Sequence, residues 1–269
     1  MHSQLQLWST FFRGKVNALR AEVGMQVAGH GQRWGKVSAR AYRTGIRTTL
    51  KLARLLAVKQ SSDAKTSTLV RREPIPAVRW LLEYARSRAD ILARDVHLYE
   101  RERIQSILIQ ASIARTTANI DRDLNGHLIG HPSDISALQD AVQYVSSAER
   151  RLIDLGSPRP VARRWIVERL NVLGLWLRQT VTTWSLQRKA STSNLPAEAR
   201  AGTQESVRIL ADEVNHLAIS LVHDLNALEQ LADNSPFWVS LHRRAALRYE
   251  LLRNRVTLDG FDWPLPSQR

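Results

Sequence analysis

The stretch SVRILADEVNHLAISLVHDLNALEQL, residues 206–231, decides the fold class. Apolar side chains recur at Val207, Leu210, Val214, Leu217, Leu221, Leu228 and Leu231, in steps of three and four with one polar slot, Asp224. That is the heptad spacing by which one helix face packs against another helix. The seam can pair within the chain or between chains, so it is a candidate docking face for protein partners. Asp224 is expected at a frayed edge, with Leu225 taking over the packing.

Outward from this stretch the helical period continues. Residues 4–28 carry apolar side chains at Leu5, Trp8, Phe12, Val16, Leu19, Val23 and Val27, and a second helix is expected over about 33–59. One long helix is expected from Pro76, along Val78, Leu81, Ala85, Ala89, Leu92, Val96, Tyr99, Ile107, Ala111, Ala114 and Ala118, to a turn at Gly126, Gly130 and Pro132. Opposite charges at Arg79/Glu83, Arg86/Asp90 and Asp90/Arg94 mark its solvated side. Further helices follow at about 133–155, 160–189, 196–233 and 236–256, with Gly156 and Pro158 as a stop and Pro160 as a first-turn residue. No segment alternates with period two, so no sheet is expected.

The expected fold is all-α. A basic helical arm over 1–59 and a polar linker over 60–76 precede an antiparallel five-helix bundle over 77–257. An irregular tail over 258–269 follows, where Pro264 and Pro266 bar a helix. No internal repeat argues for a solenoid.

The chain has 269 residues, 43% of them hydrophobic, which is enough for a real core. Its lack of cysteine excludes disulfides, thiolate metal sites and thiol nucleophiles. The most apolar stretch, Trp165 to Leu186, is interrupted by Glu168, Arg169, Asn171 and Arg178, so no membrane span is expected. Arg outnumbers Lys by 33 to 6, a bias that extends into the charge-neutral C-terminal third and so reads as codon composition.

Charge is the most specific signal. The first 60 residues hold eleven Lys or Arg against one acid, Glu22, and so carry +10 of the formal +14. Arg33, Lys36, Arg40, Arg43, Arg47, Lys51 and Arg54 are spaced 3, 4, 3, 4, 4 and 3 apart. At 100° per residue all seven fall within an arc of about 80°. They form a cationic ridge roughly 30 Å long. Trp34, Tyr42, Ile46, Leu52, Ala53 and Leu56 occupy the opposite side, and no carboxylate lies between positions 23 and 62.

These seven residues are the candidate polyanion-binding site. The favoured partner is nucleic acid, engaged by a non-enzymatic structural or adaptor protein. One alternative is an imported mitochondrial subunit, since the segment is Arg-rich, acid-poor and amphipathic, with Arg40-Ala41-Tyr42 fitting a loose cleavage pattern. Another is a peripheral protein on an anionic membrane surface, aided by Trp8, Phe11 and Phe12. The plainest reading is a solvated helix face docked by its apolar side. An intracellular location is expected under each of these.

No catalytic residue, metal or cofactor is expected. Glu213-x-x-His216 is half of a carboxylate-bridged metal motif with no second copy, and His127, His131, Asp123 and Asp134 read as turn residues. Trp165, Trp176 and Trp184 read as core packing. No Gly-rich phosphate loop, nucleophile elbow or metalloprotease motif occurs.

Overall fold

The computed structural model describes residues 32–63, 72–94, 98–125, 135–192, 196–231 and 235–257, with the single positions Ser9, Phe12, Val16 and Trp263. The described residues form seven helices and no strand. These are α1 Gln32–Asp63, α2 Pro76–Arg94, α3 Glu100–Asn125, α4 Ile135–Asp154, α5 Arg159–Ser191, α6 Ala197–Leu231 and α7 Pro236–Thr257. The fold is an all-α helical bundle. Ser9, Phe12 and Val16 are also helical; the rest of the helix expected over 4–28 lies outside the described residues.

The boundaries follow local chemistry. Pro76 and Pro236 open their helices, where a missing N–H leaves no bond unmade. α4 ends in a Schellman turn: Ser157 N–H donates to Leu152 O and Gly156 N–H to Ile153 O, both at 2.9 Å. Gly156 takes φ +75° there, a left-handed conformation that a side chain would strain.

The single helix expected from Pro76 is instead two, α2 and α3, with Leu98 and Tyr99 outside both. Beyond the break, Ala111, Ala114 and Ala118 of the expected stripe are buried. Tyr99, expected on the apolar stripe, is exposed, and beyond the break Ile104, Leu108 and Ile109 enter the core. Glu100 and Glu102 in the first turn of α3 suit a helix start, where the dipole favours carboxylates.

The chain divides into two compact units, residues 1–161 and 162–269, with the boundary in the first turn of α5. This differs from the arm, linker and bundle read in the sequence. α1 is an integral part of the first unit, because its Ala39, Tyr42, Ile46, Leu50, Ala53 and Ala57 share one core with Val78, Leu81, Ala85 and Leu92 of α2 and Ile109, Ile113 and Ile120 of α3. α3 is the central helix and packs against α1, α2 and α4.

Two amide side chains fasten the chain entering α2. Gln60 donates to Glu73 O at 2.9 Å and accepts from Ile75 N–H at 3.1 Å. Asn125 does the same for Arg72, accepting from its N–H at 2.7 Å and donating to its carbonyl at 3.2 Å. Each amide reproduces the donor and acceptor of a neighbouring backbone, so Arg72 N–H and C=O, Glu73 C=O and Ile75 N–H are satisfied without a strand partner.

In the second unit, Ile166, Leu170, Leu177 and Val181 of α5 share a core with Val214, Leu217, Leu221, Leu225 and Leu228 of α6, and with Tyr249 of α7. From Val214 to Leu231 the heptad seam, expected as a candidate face for protein partners, packs in the chain's own core; Val207 and Leu210 lie outside it. Each buried Leu or Val contributes roughly 1.5–3 kcal/mol. Trp165 and Trp176 pack against this core. Trp263, beyond the last helix, lies in it and stacks on Tyr249 with centroids 5.9 Å apart, while its carbonyl accepts from Arg253 at 3.0 Å.

Asp224 corrects another expectation. It is only 2% exposed, not at a frayed edge, and Leu225 beside it is buried as well. Its carboxylate receives Arg169 Nε of α5 at 2.9 Å, so the one polar slot of the seam is an interhelical ion pair.

Candidate polyanion interface on the first helix

α1 is held by packing more than by propensity. Its middle contains Gly45 and three β-branched threonines, and the hydroxyls of Thr44, Thr48 and Thr49 bond back to backbone carbonyls at 2.8–2.9 Å. What makes it one helix is its buried side. That side fixes which residues face outward.

The seven cations of the expected ridge do not share one environment. Arg40, Arg47, Lys51 and Arg54 are exposed on α1. Arg33 and Lys36 lie on the helical backbone, and their side chains are outside the described residues. Arg43 is 4% exposed and forms an ion pair with Glu102 of α3, itself buried. Arg43 is thus removed from the candidate binding set. The reason is angular: it lies at the edge of the basic arc nearest Ile46 and Leu50, on a helical wheel of 100° per residue. Its guanidinium is carried inward, where a carboxylate in the first turn of α3 receives it.

Arg54 is intermediate. Its side chain is about half exposed, and Nε lies 3.8 Å from Asp123 of α3, a carboxylate that also pairs with Arg122. The outward face from Arg40 to Arg54 therefore spans roughly 21 Å of helix. Glu102, which decides the fate of Arg43, carries no signal in the sequence because 59 positions separate the two. The Arg40-Ala41-Tyr42 triplet lies inside α1, and both Ala39 and Tyr42 are buried in the first core, so a cut there would divide a core helix.

Burial pushes the Tyr42 phenol up to about 12, helped by the neighbouring Tyr84, whose own phenol is raised by burial. Both stay neutral at physiological pH and add no negative charge beside the cations.

Other sequence candidates are placed without converging. Glu213 accepts a hydrogen bond from the Trp176 indole at 2.6 Å, and His216 is exposed. Among the described residues no group of three His, Asp or Glu side chains could hold a metal. His127, His131 and Asp134 lie outside the described residues. A cleft of about 530 Å³ is lined by Glu100, Arg150, Arg151 and Asp154, and one of about 250 Å³ by Glu83, Arg86 and Asp121. Both mix charges of either sign. No described helix is long and apolar enough to cross a membrane. In comparisons with known proteins, no family model, no curated protein and no solved structure matches this chain.

Proposed function

We propose that this is a non-enzymatic helical structural or adaptor protein that docks on a polyanion, nucleic acid above others, through the outward cations of α1. The observation that supports this reading is the two-sidedness of α1. Ala39, Tyr42, Ile46, Leu50, Ala53 and Ala57 are spent in the core, while Arg40, Arg47, Lys51 and Arg54 stay exposed. A rigid row of cations in water suits a phosphate backbone, which is met by charge and needs no apolar insertion. The same burial argues against a bilayer partner for this helix, because an interfacial helix must lay its apolar face among the lipids.

The test is binding of the full chain to duplex DNA, RNA and anionic vesicles across salt, beside a variant with Arg40, Arg47, Lys51 and Arg54 changed to Gln. Nucleic-acid affinity should fall in the variant, and its salt slope should become shallower by about 3 to 4. Unchanged affinity and slope would sink the reading. Binding to vesicles alone would replace it with a membrane surface.

A further inference from the structure

α7 carries apolar side chains on two sides, and the second core takes only one of them. Trp238, Leu241, Ala245, Tyr249 and Leu252 pack in that core. Phe237, Leu247 and Leu251 are each more than half exposed. On a wheel of 100° per residue these three fall within an arc of about 80°, turned about 120° from the core-facing side. Arg243 and Arg248, both exposed, lie just beyond its two edges. Ser240 and Arg244 lie within it, and the Arg244 guanidinium is drawn back along the helix, where Nε donates to Ser240 O at 3.2 Å. The only acid of α7, Glu250, falls outside the arc.

The charges and the spacing choose among partners. A second copy meeting this arc through its own α7 would set Arg243, Arg244 and Arg248 against the same three cations. A partner helix needs an apolar anchor every three or four residues, and between Phe237 and Leu247 the arc offers only Ser240 and Arg244. A fluid anionic surface needs no such register. Apolar side chains bordered by arginine on both edges suit it: the ring and the two leucines enter the acyl boundary, while the long cationic side chains bend up to the headgroup phosphates. The inner side of α7 is already packed, so docking would carry no cost of forming the helix. A bilayer is disfavoured for α1 because its apolar face lies in the core; α7 keeps an apolar arc in water as well.

We propose that the outer arc of α7 is a docking surface for an anionic lipid bilayer. Phe237, Leu247 and Leu251 insert, and Arg243, Arg244 and Arg248 meet the headgroups. This surface uses none of the α1 cations and does not rest on the nucleic-acid reading.

The experiment is co-sedimentation of the full chain with vesicles of equimolar phosphatidylserine and phosphatidylcholine, and with vesicles of phosphatidylcholine alone. Wild type should bind the anionic vesicles and stay in solution with the neutral ones. The double change Leu247→Ser with Leu251→Ser should weaken that binding at least about 10-fold. Its nucleic-acid affinity and circular-dichroism melt should match wild type, because both side chains are exposed. The variant with Arg40, Arg47, Lys51 and Arg54 changed to Gln should keep most of the vesicle binding; losing it would move the contact to α1 and overturn the proposal. Equal vesicle binding by wild type and the double Ser variant would overturn it too, as would a wild type that binds no anionic vesicle. A wild-type dimer that becomes a monomer in the double Ser variant, with no vesicle binding, would give the arc to a second copy instead.

Discussion

Each of the two compact units holds a buried arginine–carboxylate pair between helices, and the two pairs lie at different depths. In the first unit, Arg43 and Glu102 are 5% and 9% exposed at their side chains. In the second, Asp224 is 2% exposed but its partner Arg169 is 27% exposed and lies over the Trp165 ring at 5.2 Å. One pair has both ends in the interior; the other has a cation with a route to water. The two arrangements differ in energetics. A carboxylate lost from the first leaves a stranded buried charge, whereas a carboxylate lost from the second leaves an arginine that can turn outward.

The largest test of this contrast is Glu102→Leu, which should cost about 3–5 kcal/mol. Hydrogen exchange should report faster opening of α1 and α3 amides, with α5 and α6 little changed. The double change Arg43→Met with Glu102→Leu should recover most of that loss, because it removes both charges and keeps the volume. If the double variant is no better than the single one, the pair does more than satisfy itself. Next in size, Asp224→Leu should cost under about 1 kcal/mol, since the slot then carries the apolar residue its heptad calls for. A cost equal to that of Glu102→Leu, measured by the same exchange experiment on α5 and α6, would erase the distinction between the units.

The smallest effect is one the units should share. Tyr42 in the first unit is pushed up to about 12 by burial and by Tyr84, and Tyr249 in the second to about 12 by burial, opposed by Arg253. An unfolded phenol titrates near 10. Their neutral forms therefore favour the folded state fully below about pH 10, and this contribution is lost as pH rises from about 10 through about 12. Melting temperatures should be insensitive to these groups at neutral pH and fall in both units over that alkaline window. Loss in one unit alone would show that only one of the phenols is truly enclosed.

Much of the second unit was legible in sequence, because α6 has one buried face and its period shows it. Pro236 and Gly156 likewise announced their helix ends. α3 was the hard element. It is buried against three helices, so its polar residues sit inside: Ser106, Thr116 and Asn119 are buried and bond to carbonyls four residues earlier, at 2.7–3.1 Å. Such residues interrupt an apolar stripe while causing no unmet bond. The break before Glu100 is hidden in the sequence for a different reason: Val96 and Tyr99 carry the apolar period across it, although Tyr99 is exposed. On α1, the ridge was legible as charge, and Arg43 was misjudged because its partner is remote in sequence.

The paired amide fastenings of Gln60 and Asn125 have a practical consequence. Gln60 at the end of α1 and Asn125 at the end of α3 both bond residues 72–75, so side chains from two other helices set how the chain enters α2. Changing either amide would therefore loosen the start of α2 while leaving every apolar side chain of the first core in place.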